Sequence, residues 1–187
     1  MNLKYASLIA LAVLAAGCGN VGSSTAAGAP PSTASAASAS APASPDCNSQ
    51  AVSWRDNGGS SQLQALGSDL SSYEKASFAL AAGLAAGTDT SSAQSDLQSA
   101  SASLQSDAQA VEANLPPACI PHVRSEYGQA MTDYSKAAAD SQNAVSELGS
   151  GSYAVADGDI KAANAAVNAG NAKLTAASKD LGTFNNS

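Results

Sequence analysis

One pattern near the carboxyl end constrains the fold more than any other, because an apolar residue recurs there every seven positions for more than four repeats. Its large members are Tyr153, Ile160, Val167, Leu174 and Leu181. A second track lies three residues further on and is mostly small: Ala156, Ala163, Gly170, Ala177 and Phe184. Two such tracks form one stripe along an α-helix that packs against another helix. The small track predicts that the partner helix approaches closely.

The same period returns in three upstream segments. The first, at about 61–86, carries Leu63, Leu66, Leu70, Tyr73, Leu80 and Leu84. The second, at about 90–115, carries Leu97, Ser101, Leu104, Ala108, Val111 and Leu115. The third, at about 121–148, carries Val123, Tyr127, Met131, Tyr134, Ala138, Val145 and Leu148. With 152–182, these segments predict four helices of similar length.

Helix-terminating residues separate the four segments. Gly87 follows the first, Pro116 and Pro117 follow the second, and Gly149 and Gly151 follow the third. Short loops make consecutive helices antiparallel neighbours. We therefore predict an all-α fold, an antiparallel up-down-up-down four-helix bundle that occupies residues 46–187 behind a signal peptide and a disordered tether.

The first seventeen residues have the features of an export signal. Lys4 gives a positively charged start, and an uncharged stretch from Tyr5 to Ala16 follows it. That stretch is too short to span a bilayer, which takes about 20 apolar residues. Its length and the small residues after it are those of a signal peptide, so we predict that residues 1–17 are removed.

The end of this stretch resembles the lipobox of bacterial lipoproteins, whose usual form is Leu, a small residue, Gly or Ala, then Cys. Ala16, Gly17 and Cys18 match, while Ala15 stands where Leu is usual and Leu14 precedes it. The resemblance implies cleavage before Cys18 and acyl chains on its sulfur, which would anchor the protein to the extracytoplasmic face of the cell membrane. The alternative is an ordinary secretory signal followed by an incidental cysteine.

Residues 19–45 contain almost only Ala, Ser, Gly, Pro and Thr, without a charge. Such a composition cannot bury enough apolar surface to offset the entropy of ordering. We predict that residues 18–45 form the lipidated cysteine and a flexible tether, with an r.m.s. reach of roughly 25–30 Å. Its Ser and Thr residues are either a plain spacer or acceptors for O-linked sugars.

Cys47 and Cys119 remain once Cys18 is assigned to the lipid. Export permits a disulfide, and the predicted topology places both cysteines at the same end of the bundle. We predict that they are bonded; the alternatives are a metal site or a reactive thiol. A single histidine, His122, makes a poor zinc set with two cysteines. Trp54, in a short helical turn after Cys47, is expected to cover that end of the core.

The charge balance argues against nucleic acid as a partner. The chain has 8 Lys and Arg against 15 Asp and Glu, and removal of residues 1–17 leaves a net charge of −8. A phosphate backbone must be neutralised by basic clusters, which this sequence lacks. An acidic domain is equally unsuited to electrostatic adhesion to anionic lipid, so membrane attachment is expected to come from the lipid on Cys18 alone.

Several polar residues are candidates for chemistry. Tyr73 and Tyr134 fall at similar heights in the predicted bundle, and Ser77, Ser101 and Gly170 lie nearby; these residues predict either a small ligand pocket or tight packing. An acidic stripe recurs every seven residues, either as a cation track or as a solvated face that pairs with lysines: Glu126, Asp133, Asp140 and Glu147. His122 and the Asp157-Gly158-Asp159 run lack the partners of a catalytic relay or a calcium loop.

The sequence predicts no catalytic residues, no metal and no cofactor. The Ala-rich domain with Cys47, Trp54, Gly58 and Gly59 resembles uncharacterised secreted domains of high-GC Gram-positive bacteria, which implies no activity. We expect a non-enzymatic envelope lipoprotein that presents a helical interaction surface to an envelope protein. The alternative is a small-ligand-binding lipoprotein that uses Tyr73 and Tyr134 and serves a transporter; an enzyme ranks third.

Overall fold

The computed structural model describes residues 45–184, with side chains from 46 to 181. The expectations for the signal peptide, Cys18 and the tether up to residue 44 fall outside the described residues. The described part confirms the all-α prediction. Its five helices are α1 (Pro45–Trp54), α2 (Ser60–Ala86), α3 (Ser91–Ala113), α4 (Pro121–Gly149) and α5 (Tyr153–Phe184). The four long helices, α2 to α5, are those that the seven-residue period predicts.

The helix ends follow from local chemistry. The left-handed conformation of Gly87, with φ of 65°, ends α2, and its N–H group caps the α2 carbonyls of Gly83 and Leu84. Pro121 occupies the first turn of α4, where a missing N–H costs nothing. Helix α5 starts at Tyr153 and runs through the Asp157-Gly158-Asp159 sequence without a break.

Three of the four sides of the bundle are closed by consecutive helices. Helix α2 packs on α3, α3 packs on α4, and α4 packs on α5 most closely of all. The backbones of α2 and α5, which would close the fourth side, stay more than 8 Å apart (Cα to Cα) over nearly their whole lengths. The bundle is therefore more open between α2 and α5 than elsewhere.

The core combines a few large side chains with many alanines. Tyr73, Leu80, Leu104, Met131 and Tyr134 are at most 1% exposed. Alanine fills much of the remaining interior of α4 and α5: Ala130, Ala137, Ala138, Ala144, Ala156, Ala163 and Ala177. An interior of this kind buries little apolar area per residue, so close backbone approach carries much of the packing.

Between residues 45 and 184, none of the helices combines the length and the apolar character needed to cross a bilayer.

Candidate functional site

The two tyrosines predicted to share a layer both lie in the core, but each is held in a separate hydrogen-bonded pair. The Tyr73 hydroxyl on α2 lies 2.5 Å from the Ser141 hydroxyl on α4, and both residues are at most 1% exposed. Burial raises the pKa of Tyr73, while hydrogen bonds with Ser141 and Ser77 partly offset that rise. The phenol is therefore a neutral bridge between α2 and α4.

Tyr134 on α4 reaches the opposite neighbour. Its hydroxyl donates to the Asn171 side-chain oxygen on α5 at 2.7 Å. Its ring fills the space over Gly170, where an added Cβ would meet the ring at 2.7 Å. Burial raises the pKa of the Tyr134 hydroxyl, and the negative charges of Glu74 and Asp133 raise it further. The ring and the hydroxyl are both engaged by α5.

One hydroxyl near this layer has no such partner. Ser101 on α3 is fully buried, and its Oγ has no hydrogen-bond partner within the described part of the chain.

Two depressions in the surface of the bundle have volumes of about 550 and 560 Å³, and neither is lined by Tyr73 or Tyr134. The first lies between α2 and α3 beside Asp69 and Lys75, and the second lies beside Arg124 at the start of α4. The tyrosine pocket stays a prediction.

The acidic stripe of α4 pairs with its surroundings at three of its four positions. Asp133 accepts a hydrogen bond from Lys173 of α5 at 2.5 Å, and both side chains are about three-quarters covered. Asp140 pairs with Lys136 one turn earlier, and Glu147 accepts from the Ser150 hydroxyl. Two of the four carboxylates, Asp133 and Asp140, are thus paired with lysines, as one of the two sequence interpretations expects, although both are mostly covered.

Metal-ligating side chains do not converge within residues 45–184, where no group of three or more His, Cys, Asp or Glu residues is placed to hold an ion. His122 is exposed in the first turn of α4.

The predicted disulfide is present at the end of the bundle that contains α1. Cys47 and Cys119 are bonded, with their Cα atoms 5.8 Å apart. Trp54 lies at the same end, where its indole N–H donates to the Asn114 carbonyl at 2.7 Å and its ring meets Tyr127 edge-on, with centroids 6.0 Å apart. The tryptophan thus satisfies an orphan carbonyl at the end of α3 and covers the core, as the sequence predicts.

The fourth side of the bundle carries apolar groups that are not fully covered. On α5, Asn171 bonds to Tyr134, and the negative charge of Glu74 on α2 raises the pKa of the same tyrosine hydroxyl. Phe78 lies one helical turn after Glu74 on the same flank of α2 and is 66% exposed. Val167 and Leu174 share the flank of Asn171 on α5.

We call this side the open seam, and define it by the apolar residues on the two facing flanks of α2 and α5 that, unlike the buried Val167, keep some exposure: Leu63, Leu70, Phe78, Tyr153, Ile160 and Leu174. The leucines and Ile160 are half-buried, whereas Phe78 and Tyr153 are 66% and 65% exposed. Sequence reasoning missed Phe78, because it lies outside both apolar tracks of α2. Its position could have identified it, because packing within the bundle does not explain a phenylalanine outside the apolar tracks of a helix.

Comparison with known proteins adds no relative, because no family model, curated protein or solved structure matches this chain.

Proposed function

We propose that the protein is an extracytoplasmic envelope lipoprotein, anchored to the cell membrane through acyl chains on Cys18, and that its helical bundle presents an interaction surface to another envelope protein. The anchor rests on the lipobox-like residues and the uncharged stretch before them. The Cys47–Cys119 disulfide supports the extracytoplasmic location, because such bonds persist in oxidising compartments outside the cytoplasm.

The observation that carries the interaction role is the exposure of Phe78 in the open seam. Aromatic residues make up only 4% of this chain, and Phe78, one of the few, contributes little to the core because two-thirds of it is exposed. Full burial of such a side chain in a partner contributes about 1.5–3 kcal/mol. Leu70 and Leu63, which are half-buried, lie about two and four helical turns before Phe78 and add apolar groups along α2. An amphipathic helix of a partner packs on apolar groups spaced in this way.

A second candidate function is small-ligand binding in the mid-bundle layer. The observation that favours it is the buried Ser101 hydroxyl without a hydrogen-bond partner in residues 45–184. An orphaned buried hydroxyl costs about 1–3 kcal/mol, which a polar group of a ligand or a water would recover. Such a ligand would approach Tyr73 and Tyr134 from α3, and its binding would serve a transporter-associated role.

The anchor is tested by Cys18→Ala in the full-length chain, followed by membrane fractionation. We expect the wild-type protein to partition with membranes and the variant to be released. A variant that still sediments wholly with membranes would contradict lipid anchoring.

The interaction role is tested by recovery of the bundle from envelope extracts, with Phe78→Ser as the matched variant. We expect a protein partner with the wild type and at least a tenfold lower yield with Phe78→Ser, since 1.4 kcal/mol of lost apolar burial is a factor of ten. A co-purifying small molecule without a protein partner, in equal amounts from both chains, would favour the second candidate.

A further inference from the structure

Helix α1 is attached to the rest of the bundle by very few side chains. Cys47 is its fully covered residue, at 3% exposure, and Ala51 and Trp54 are half-buried. Asn48, Val52 and other side chains of α1 are exposed. Its backbone also stays more than 8 Å (Cα to Cα) from the four long helices over nearly its whole length. Cys47 and Trp54 are the side chains of α1 that belong to the core cluster or pack against it, and they contact the loop between α3 and α4.

Two of the contacts between α1 and the bundle lie at opposite ends of the helix. The Cys47–Cys119 disulfide fixes its first turn to the loop between α3 and α4. Trp54 fixes its last residue, through the hydrogen bond to the Asn114 carbonyl and the edge contact with Tyr127. One hydrogen bond and one aromatic contact are weak compared with the conformational entropy that is lost when ten residues are ordered.

The chain between α1 and α2 is kinked. In the segment Arg55–Gly59, Gly58 has a φ of 109°, a value that residues with a side chain rarely adopt. The φ and ψ angles of Asn57 also lie outside the helical region. Gly59 lies directly beneath the indole of Trp54, and an added Cβ there would meet the ring at 2.6 Å. Motion about Gly58 would therefore lift α1 and Trp54 together.

The two cysteines of the disulfide differ in exposure. Cys119 is exposed in the α3–α4 loop, whereas Cys47 is buried under it. A thiolate of a dithiol reductant attacks Cys119 Sγ, the S–S bond breaks, and Cys47 Sγ leaves as a thiolate that takes up a proton. The second thiol of the reductant then attacks the mixed disulfide and frees Cys119 as a thiol, so the reductant leaves as a disulfide.

We propose that α1 is a thiol-releasable lid: reduction of the Cys47–Cys119 bond by a dithiol frees α1 to swing about Gly58 while α2 to α5 stay folded. Release uncovers Tyr127 at the base of the bundle, which is 3% exposed in the closed state. It also frees the ten residues of α1, which span up to about 35 Å when extended. The lid concerns the disulfide end and is independent of both the open seam and Cys18.

The single tryptophan makes this testable in the full-length chain with Cys18→Ser, which leaves Cys47–Cys119 as the one possible disulfide. On addition of dithiothreitol at 25 °C, we expect Trp54 emission to shift to the red and acrylamide quenching to rise at least about two-fold, because the freed lid is solvated. Helical circular dichroism is expected to fall by no more than the share of the ten residues of α1. Cys119→Ser should show the reduced signals without reductant.

Two glycine variants separate the lid from the disulfide chemistry. Gly59→Ala displaces the indole of Trp54 and should raise the quenching of Trp54 while the disulfide is intact. Gly67→Ala, where an added Cβ meets nothing within 4 Å, should leave the quenching unchanged. Trp54 signals that do not change on reduction would overturn the proposal. So would a collapse of helical signal to that of an unfolded chain, since the bond would then hold the whole bundle instead of a lid.

Discussion

The two sides of α5 differ more than their shared period suggests. The side that faces α4 consists of Ala156, Ala163, Gly170 and Ala177, all of them buried. The side that faces α2 carries larger residues such as Ile160 and Leu174, which are only half-buried, and Tyr153, which is mostly exposed. The small side brings the backbones of α4 and α5 close together, whereas the backbones of α5 and α2 stay more than 8 Å apart over nearly their whole lengths, although Val167 on the large side is 5% exposed.

This contrast indicates why α5 packs more closely on α4 than on α2. Alanine and glycine lose little side-chain entropy on burial, and they let many backbone and Cβ atoms of α4 and α5 come into van der Waals contact. The Asp133–Lys173 ion pair and the Tyr134–Asn171 hydrogen bond then fix the same pair of helices. Within the larger track of α5, Val167 is buried and Ile160 and Leu174 pack partly against the core, while Tyr153 at the start of the helix is 65% exposed and accessible to a partner.

The largest expected effect compares two leucines of α2. Leu66 is 1% exposed in the core, whereas Leu63 lies half-buried in the open seam. We expect Leu66→Ala to lower the free energy of unfolding by about 2–5 kcal/mol and Leu63→Ala by about 1 kcal/mol, because less area is lost and no closed cavity forms. Urea denaturation measures both; equal losses would mean that the α2–α5 side is as closed as the others.

The next effect tests the close side directly. Gly170→Ala places a Cβ 2.7 Å from the Tyr134 ring, so we expect a loss of about 1–3 kcal/mol in unfolding free energy. Gly158→Ala is the matched control in the same helix, since nothing lies within 4 Å of its added Cβ, and helix propensity alone should stabilise it by up to about 1 kcal/mol. If both variants gain stability, the ring of Tyr134 does not pack on Gly170.

A smaller effect is expected at the tyrosine hydroxyl that joins α4 to α5. Tyr134→Phe removes the hydrogen bond to Asn171 but keeps the ring over Gly170. Because Asn171 is half-buried and can turn to water, we expect a loss of about 1 kcal/mol by thermal or urea unfolding. A loss above about 3 kcal/mol would show that the pair is sealed from solvent and that this side is tighter than described.

The α2–α3 side lies between these extremes and contains a carboxyl pair. Asp107 is half-buried, and burial, the negative charge of Asp69 and a hydrogen bond with Asp69 all raise its pKa in the folded state. A raised carboxyl pKa contributes stability below the unfolded pKa of about 3.9, and that contribution is lost as pH rises through the folded pKa. The ionised pair therefore weakens the fold at neutral pH.

Asp107→Asn should accordingly raise the unfolding free energy at pH 7, and the gain should vanish by about pH 3, where the wild-type carboxyl is protonated. Melting curves of both chains across this range measure it. Asp96→Asn, an exposed carboxylate on the same helix, serves as the control. A gain that is the same at both pH values would contradict a titrating pair.

The fold and the disulfide could be predicted from the sequence because both depend on periodicity and topology. Seven-residue spacing defined the helices, and the up-down order placed Cys47 beside Cys119. The open seam could not be predicted, since the period places Ile160 and Leu174 on a stripe without stating which neighbour covers them. The separate hydroxyl pairs of Tyr73 and Tyr134 depend on rotamers and helix spacing, which spacing in the sequence does not encode.

The most direct test of the account is site-specific photo-crosslinking in the cell envelope, with a photoreactive phenylalanine analogue at Phe78 or at Gln98. Both positions are exposed on long helices, but Gln98 lies on α3, which contributes no residue to the open seam. An interaction surface along α2 and α5 predicts a discrete protein adduct from position 78 and none from position 98. Adducts of equal yield from both positions, or an adduct from position 98 alone, would contradict the assignment of the open seam as the binding face.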